Sequence, residues 1–188
     1  MYDKIVTKGI IVGARNLKTK DRLLYIVTEE LGMITAVGKS LRSNTSKLRF
    51  YAQIFSHATF EFIRGRQMWT LVGVGEQKQV SQAMYQHRAI IARMMLDMVY
   101  GEADARELYA VVAKAWEQLS VVHPEDADKI LSYTLARLYK ILGYWPKDGG
   151  EIPDDEDRDR SSYGRIRKTV LHLQESVDTG SFRNNDNG

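Results

Sequence analysis

Ala58-Thr59-Phe60-Glu61-Phe62-Ile63-Arg64-Gly65-Arg66-Gln67-Met68-Trp69-Thr70-Leu71-Val72 decides how the first part of this 188-residue chain folds. Residues 58–63 alternate large and polar side chains, the period of a strand with one buried face. Arg64-Gly65-Arg66 reads as a hairpin turn, and Met68 to Val72 as the returning strand. Three more candidates lie upstream. Ile5, Ile10, Ile11 and Val12 form a β-rich run around Gly9. Leu23-Leu24-Tyr25-Ile26-Val27-Thr28 is β-branched and aromatic, and Met33-Ile34-Thr35-Ala36-Val37 follows it with Gly32 as the turn. Five short strands with glycine turns point to a small closed barrel. A basic, aromatic barrel of this size is commonly an OB-fold, which binds oligonucleotides on one face.

From Ser81 the apolar period changes from two to about 3.6. Met84, Ile91, Met94, Met95 and Met98 trace a stripe that ends at Tyr100-Gly101. Asp104 can cap the next helix, with Glu107 three residues on as its capping-box partner, and Leu108, Val111, Val112, Ala115 and Leu119 form its stripe. Pro124 opens a third helix with Glu125 and Asp126 in its first turn, which suits the helix dipole. Gly143 ends it. A turn-rich acidic stretch, 148–159, precedes a shorter helix from Tyr163 to Ser176. The expected architecture is α+β in two domains: an OB-fold over 1–78, an all-helical domain over 79–177, and a disordered tail over 178–188.

Charge is divided unevenly. Residues 1–70 hold 12 Lys and Arg against 5 Asp and Glu, a net +7, while the remainder carries −4. Such asymmetry points to different partners for the two parts, with the basic part facing a polyanion. There is no cysteine, which excludes disulfides and thiolate metal sites. No apolar run approaches 18 residues, so no membrane-spanning helix is expected. Met1-Tyr2-Asp3-Lys4 lacks the apolar start of an export signal, and the expected location is cytoplasmic.

The densest basic segment is Val37-Gly38-Lys39-Ser40-Leu41-Arg42-Ser43-Asn44-Thr45-Ser46-Lys47-Leu48-Arg49, and no acid occurs from Leu31 to Phe60. Lys39, Arg42, Lys47 and Arg49 can neutralise phosphates, and hydroxyls such as that of Ser43 can donate to phosphate oxygens. Arg64 and Arg66 on the hairpin turn would point two guanidiniums at the same groove. Trp69, Tyr51 and Phe50 either stack on bases or fill the barrel core. A basic run is more often a solvated loop than a site; the barrel and its aromatics are what raise the functional reading here.

Catalytic constellations are absent. His57, His87, His123 and His172 have no metal-binding spacing. Val72-Gly73-Val74-Gly75 has no third glycine and no lysine at P-loop spacing, and reads as a strand end, not a phosphate cradle. Asp154-Asp155-Glu156-Asp157 lacks a calcium-loop pattern and reads as a solvated loop. No enzyme, no cofactor and no metal are expected.

Taken in order, these segments resemble the RecO family, bacterial mediators of recombinational DNA repair. Gly9-Ile10-Ile11-Val12, Asp21-Arg22-Leu23-Leu24 and Thr28-Glu29-Glu30-Leu31-Gly32 look like the family's first strands. Ala36 to Ser43 with Ser46-Lys47-Leu48 looks like its basic loop, and Arg64-Gly65-Arg66 with Met68-Trp69-Thr70-Leu71 like its late hairpin. Leu142-Gly143-Tyr144-Trp145-Pro146 looks like its Leu-Gly-Tyr-x-Pro segment. The resemblance implies an OB-fold followed by helices, binding of single- and double-stranded DNA, and annealing of complementary strands. It also implies work with RecR to load RecA onto DNA coated by single-strand-binding protein, in the cytoplasm and at the nucleoid. Two departures stand out. Lys147-Asp148-Gly149-Gly150 replaces a cysteine cluster that binds zinc in many members, so no zinc is expected, and Thr19-Lys20 replaces a usual Gly-Glu. Rival expectations are an OB-fold adaptor acting through protein contacts of its helices, and an RNA-binding OB protein.

Overall fold

The computed structural model describes residues 4–78, 84–99, 106–153 and 160–178. Five strands, β1 (Lys4–Leu17), β2 (Asp21–Thr28), β3 (Gly32–Gly38), β4 (His57–Arg64) and β5 (Trp69–Lys78), close into a barrel in the order β1-β2-β3-β5-β4. All neighbours are antiparallel except β3 and β5. The first part of the chain is therefore the five-stranded OB-fold barrel read from the sequence.

Two strands are longer than their apolar runs. β1 continues to Leu17 because it serves two neighbours: residues 4–10 pair with β4 and residues 9–17 with β2, with a register shift between Ile11 and Gly13. Such a bulge bends a strand and raises its twist, which lets one strand turn the corner of a barrel. β5 likewise runs through Val72-Gly73-Val74-Gly75, the expected strand end, as far as Lys78.

Inside the barrel, Leu24 and Ile26, Ile34 and Ala36, Phe60 and Phe62, and Trp69 and Leu71 meet as alternate residues of successive strands. Each large apolar side chain so buried contributes about 1.5–3 kcal/mol. Trp69 is 3% exposed and packs edge-on against Phe62. This corrects one expectation: the Trp69 ring is core and has no face for a base.

The helices are α1 (Tyr85–Met98), α2 (Arg106–Val121), α3 (Pro124–Ile141) and α4 (Arg160–Asp178). By packing, the chain divides into two compact units, Met1–Val122 and His123–Gly188. The change from strand to helix, expected near residue 78, falls between Lys78 and Tyr85. In the first unit α1 packs on β1, and α2 on β1 and β2. The methionine stripe is buried there through Met94 and Met95 beside Ile91. Phe55 joins this seam: Trp116 Nε1 donates to its carbonyl at 3.0 Å, and its ring meets Tyr85 and Trp116. Arg88, 1% exposed, donates to the Trp116 carbonyl and to Ser120 Oγ.

In the second unit α3 packs with α4, whose Ile166, Val170 and Leu173 are buried. Gly143, at φ +81°, ends α3, and Tyr144 N–H closes back on the Tyr139 carbonyl at 2.8 Å. The segment after it is fastened by three donors to backbone carbonyls: Trp145 Nε1 to Gly150, Arg137 to Pro153 and Arg165 to Glu151. The Asp104 cap, Tyr100-Gly101, the acidic run 154–157 and the tail from 179 onward lie outside the described residues.

Candidate nucleic-acid interface

Gly38 ends β3 opposite Arg22 of β2, so the chain leaves the barrel next to the β1–β2 turn. It is clipped to that turn at once. Ser40 N–H donates to Asp21 Oδ1 at 2.8 Å, and Arg42 N–H to the Lys20 carbonyl at 2.9 Å. The Arg42 guanidinium reaches the carbonyls of Lys18 and Thr19, at 3.4 and 3.0 Å. Lys18 and Ser40 both hold positive φ, 54° and 55°, backbone that non-glycine residues adopt only where the surroundings impose it. Leu41 folds back over Gly38, where an added Cβ would sit 2.0 Å from its Cδ1.

Beyond this clip the loop is turns, not open coil. Ser43 N–H bonds to the Ser40 carbonyl and Ser46 N–H to that of Ser43, while the Ser43 and Thr45 hydroxyls share a 2.9 Å hydrogen bond. A 3-10 turn, Lys47–Phe50, follows. Leu48 packs on the barrel core and Ala52, one turn on, is buried in it, so the turn is seated on the barrel by one side of its backbone. Arg49 Nη1 donates to Asn44 Oδ1 at 2.7 Å, and its guanidinium lies 5.0 Å over the Phe50 ring.

The structure therefore gathers Lys39, Arg42, Ser43, Lys47 and Arg49 and adds two cations that sequence reasoning did not assign, Lys18 and Lys20. Lys18, Lys20, Lys39, Arg42 and Lys47 are exposed, and Arg49 is half-buried. Among the described residues none of these six is in an ion pair with a carboxylate. Lys4, Lys8 and Lys78, in contrast, face Glu61, Glu29 and Glu117. The only carboxylate in the clip, that of Asp21, accepts the Ser40 N–H.

Arg64 and Arg66 stand apart. Trp69 of β5 pairs with Ala36 and Leu71 with Gly38, so the hairpin between β4 and β5 leaves the sheet on the other side of Ala36 from the basic loop. Along the strand, residues 36 and 39 are about 10 Å apart at ~3.3 Å per residue. Arg64 lies over the Trp69 ring at 5.2 Å, and Gly65 N–H closes the hairpin on the Met68 carbonyl. Both arginines are exposed, and they extend a basic surface instead of completing the clipped cluster.

Of the three aromatics weighed as stacking platforms, the fold buries Trp69 and exposes the other two: Phe50 is 65% and Tyr51 46% exposed. Among the described residues no group of three or more His, Asp or Glu could hold a metal, and no helix is long and apolar enough to cross a membrane.

Residues 1–75 match the family model described as the recombination protein O N-terminal domain. This part of the chain is similar to the N-terminal domain of RecO. It is 23% identical over 145 residues to the DNA repair protein RecO of Heliobacterium modesticaldum, covering 74% of this chain and 52% of that protein. With the RecO of Symbiobacterium thermophilum it shares 23% over 146 residues, 73% of this chain and 56% of that protein. With that of Dehalococcoides mccartyi it shares 34% over 67 residues, 36% of this chain and 26% of that protein. The chain thus spans about half the length of the first two relatives.

Proposed function

We infer that this protein binds DNA through the rim of its barrel and serves recombinational repair without catalysing a reaction. The observation that carries the reading is the clip: two separate segments, 18–20 and 39–49, are bonded together so that six cations with no ion-pair partner among the described residues share one rim. Concentrated charge of this kind gains affinity for a phosphate backbone by releasing its counterions, regardless of sequence. The relatives named DNA repair protein RecO support placing that binding in repair.

The finer reading is a mediator. Neutralising the phosphates of two strands lowers their repulsion, so complementary strands can approach and pair with no catalytic group and no nucleotide hydrolysis. Handing DNA coated by single-strand-binding protein to a recombinase, with RecR as partner, rests on the family resemblance alone.

The test is fluorescence anisotropy of a labelled single-stranded oligonucleotide at several salt concentrations. Four to six phosphate contacts give a log–log salt slope of about −3 to −4. A slope near zero, or no binding at low salt, overturns the reading. A matched RNA that outcompetes the DNA moves it to RNA.

A further inference from the structure

Phe50 and Tyr51 are adjacent, exposed and held by backbone that cannot swing freely. Tyr51 N–H and Ala52 N–H both bond to the Leu48 carbonyl, at 3.1 and 2.9 Å. Leu48 and Ala52 pack on the barrel core, which turns residues 50 and 51 outward. Aromatic side chains fixed in this way lose little conformational freedom when something covers them. Their neighbours are cations: Lys47 begins the same turn, and Arg49 lies over one face of Phe50 with Asn44 holding its edge. Apolar ring faces beside free positive charge match a nucleotide, which offers a flat base next to a phosphate. A duplex offers the phosphates alone, because its bases are stacked on each other; only an unpaired strand offers both.

We propose that Phe50 and Tyr51 form a stacking step for unpaired bases and give this rim a preference for single-stranded over duplex nucleic acid. The proposal rests on the DNA-binding reading above and assigns the discrimination to these two rings, while the lysines and arginines bind both forms.

The experiment compares the 188-residue protein with its Phe50→Ala, Tyr51→Ala and Phe50→Leu variants, each against a labelled single strand and a labelled blunt-ended duplex over a range of salt. Each Ala variant should weaken single-strand binding by about tenfold, in line with the loss of one base stack, and duplex binding by less than about twofold. The salt slope should stay as in the parent, because no cation is removed. Phe50→Leu, which keeps apolar bulk without a ring, should behave as Phe50→Ala does. A Phe50→Trp variant should retain affinity and lose fluorescence on adding oligo(dT), but not on adding the duplex, beyond any change in the parent, whose Trp69 and Trp116 are buried and whose Trp145 is half-buried. Equal losses on both forms, unchanged single-strand binding, or a Phe50→Leu variant as tight as the parent would overturn the stacking step and leave the DNA-binding reading intact. Failure of the parent protein to bind either form overturns the DNA-binding reading first, and this proposal with it.

Discussion

Arg42 and Arg88 do the same chemistry in opposite surroundings. Each guanidinium donates to backbone carbonyls of another segment: Arg42 to Lys18 and Thr19 on the barrel rim, Arg88 to Trp116 in the seam where α1 and α2 meet the barrel. Arg42 is exposed; Arg88 is 1% exposed, lies over the Trp116 ring, and has its pKa pushed down by burial. The difference teaches what makes a cation available to a partner. Charge and hydrogen bonding are common to both. Solvent access is not, and a charge already removed from water has little left to offer a phosphate. The rim is fastened yet wet, and the seam is fastened and dry.

The comparison breaks most visibly at Trp116. This ring is 2% exposed, packs on Phe55 and donates to its carbonyl. Trp116→Ala should cost about 3–5 kcal/mol of stability, the range for truncating a buried aromatic. Lys39→Ala on the rim should stay within about 0.5 kcal/mol. Urea denaturation followed by far-ultraviolet circular dichroism checks both. If Trp116→Ala costs under 1 kcal/mol, the seam is not the structural contact described here.

The rim can then be divided within itself. Lys39 and Lys47 make no hydrogen bond that holds the loop, so the double alanine variant should leave stability unchanged and make the single-strand salt slope shallower by about 1.4, or 0.7 for each phosphate no longer neutralised. Arg42 carries charge and clip together. Arg42→Ala should lose both, costing about 1 kcal/mol for the severed hydrogen bonds as well as one phosphate's share of the slope. Arg42→Lys should keep the slope and still lose stability, because Nη1 alone serves both carbonyls and the lysine ammonium ends one bond short of its position. A lysine variant as stable as the parent would show that the clip holds through the backbone N–H groups of Ser40 and Arg42 without the guanidinium.

How much of this was legible in the sequence follows from how far each interaction reaches. Pairs such as Phe60 with Phe62 and Leu24 with Ile26 announce a buried strand face by period two, and the stripe through Ile91, Met94 and Met95 announces α1 by its period near 3.6. The second half of β1 was silent: Ala14-Arg15-Asn16-Leu17 has no β-branched residue, and only pairing with β2 makes it a strand. The loop cations Lys39, Arg42, Lys47 and Arg49 were visible as a run. Lys18 and Lys20 were counted in the charge but not placed, because their proximity comes from Gly38 pairing with Arg22, which is a fact of register. Trp69 could not be assigned from sequence, since residues at the end of a hairpin face either way until the sheet closes. Nothing in the sequence tied His57 to Tyr109, which lie 52 residues apart.

That last pair gives the smallest expected effect and the sharpest contrast with the rim. His57 Nε2 and Tyr109 Oη share a 2.9 Å hydrogen bond in the seam. Burial first, and then the nearby charge of Lys78, holds the His57 pKa below the usual 6.5, and burial pushes the Tyr109 pKa up to about 12. A histidine with a lowered folded pKa binds its proton more readily in the unfolded chain. Its contribution is therefore fully present above the unfolded value near 6.5, and declines as pH falls through that value toward the lowered folded one. Between pH 7.5 and 5.5 the parent protein should lose stability to urea, and His57→Gln, which cannot take up the proton, should lose less over the same interval. Single-strand binding, referred to the folded fraction, should change alike in the two proteins, because no rim cation touches this pair. Identical stability profiles for the parent and His57→Gln would mean that the acid sensitivity lies elsewhere, and that the seam holds its histidine with no preference for the neutral form.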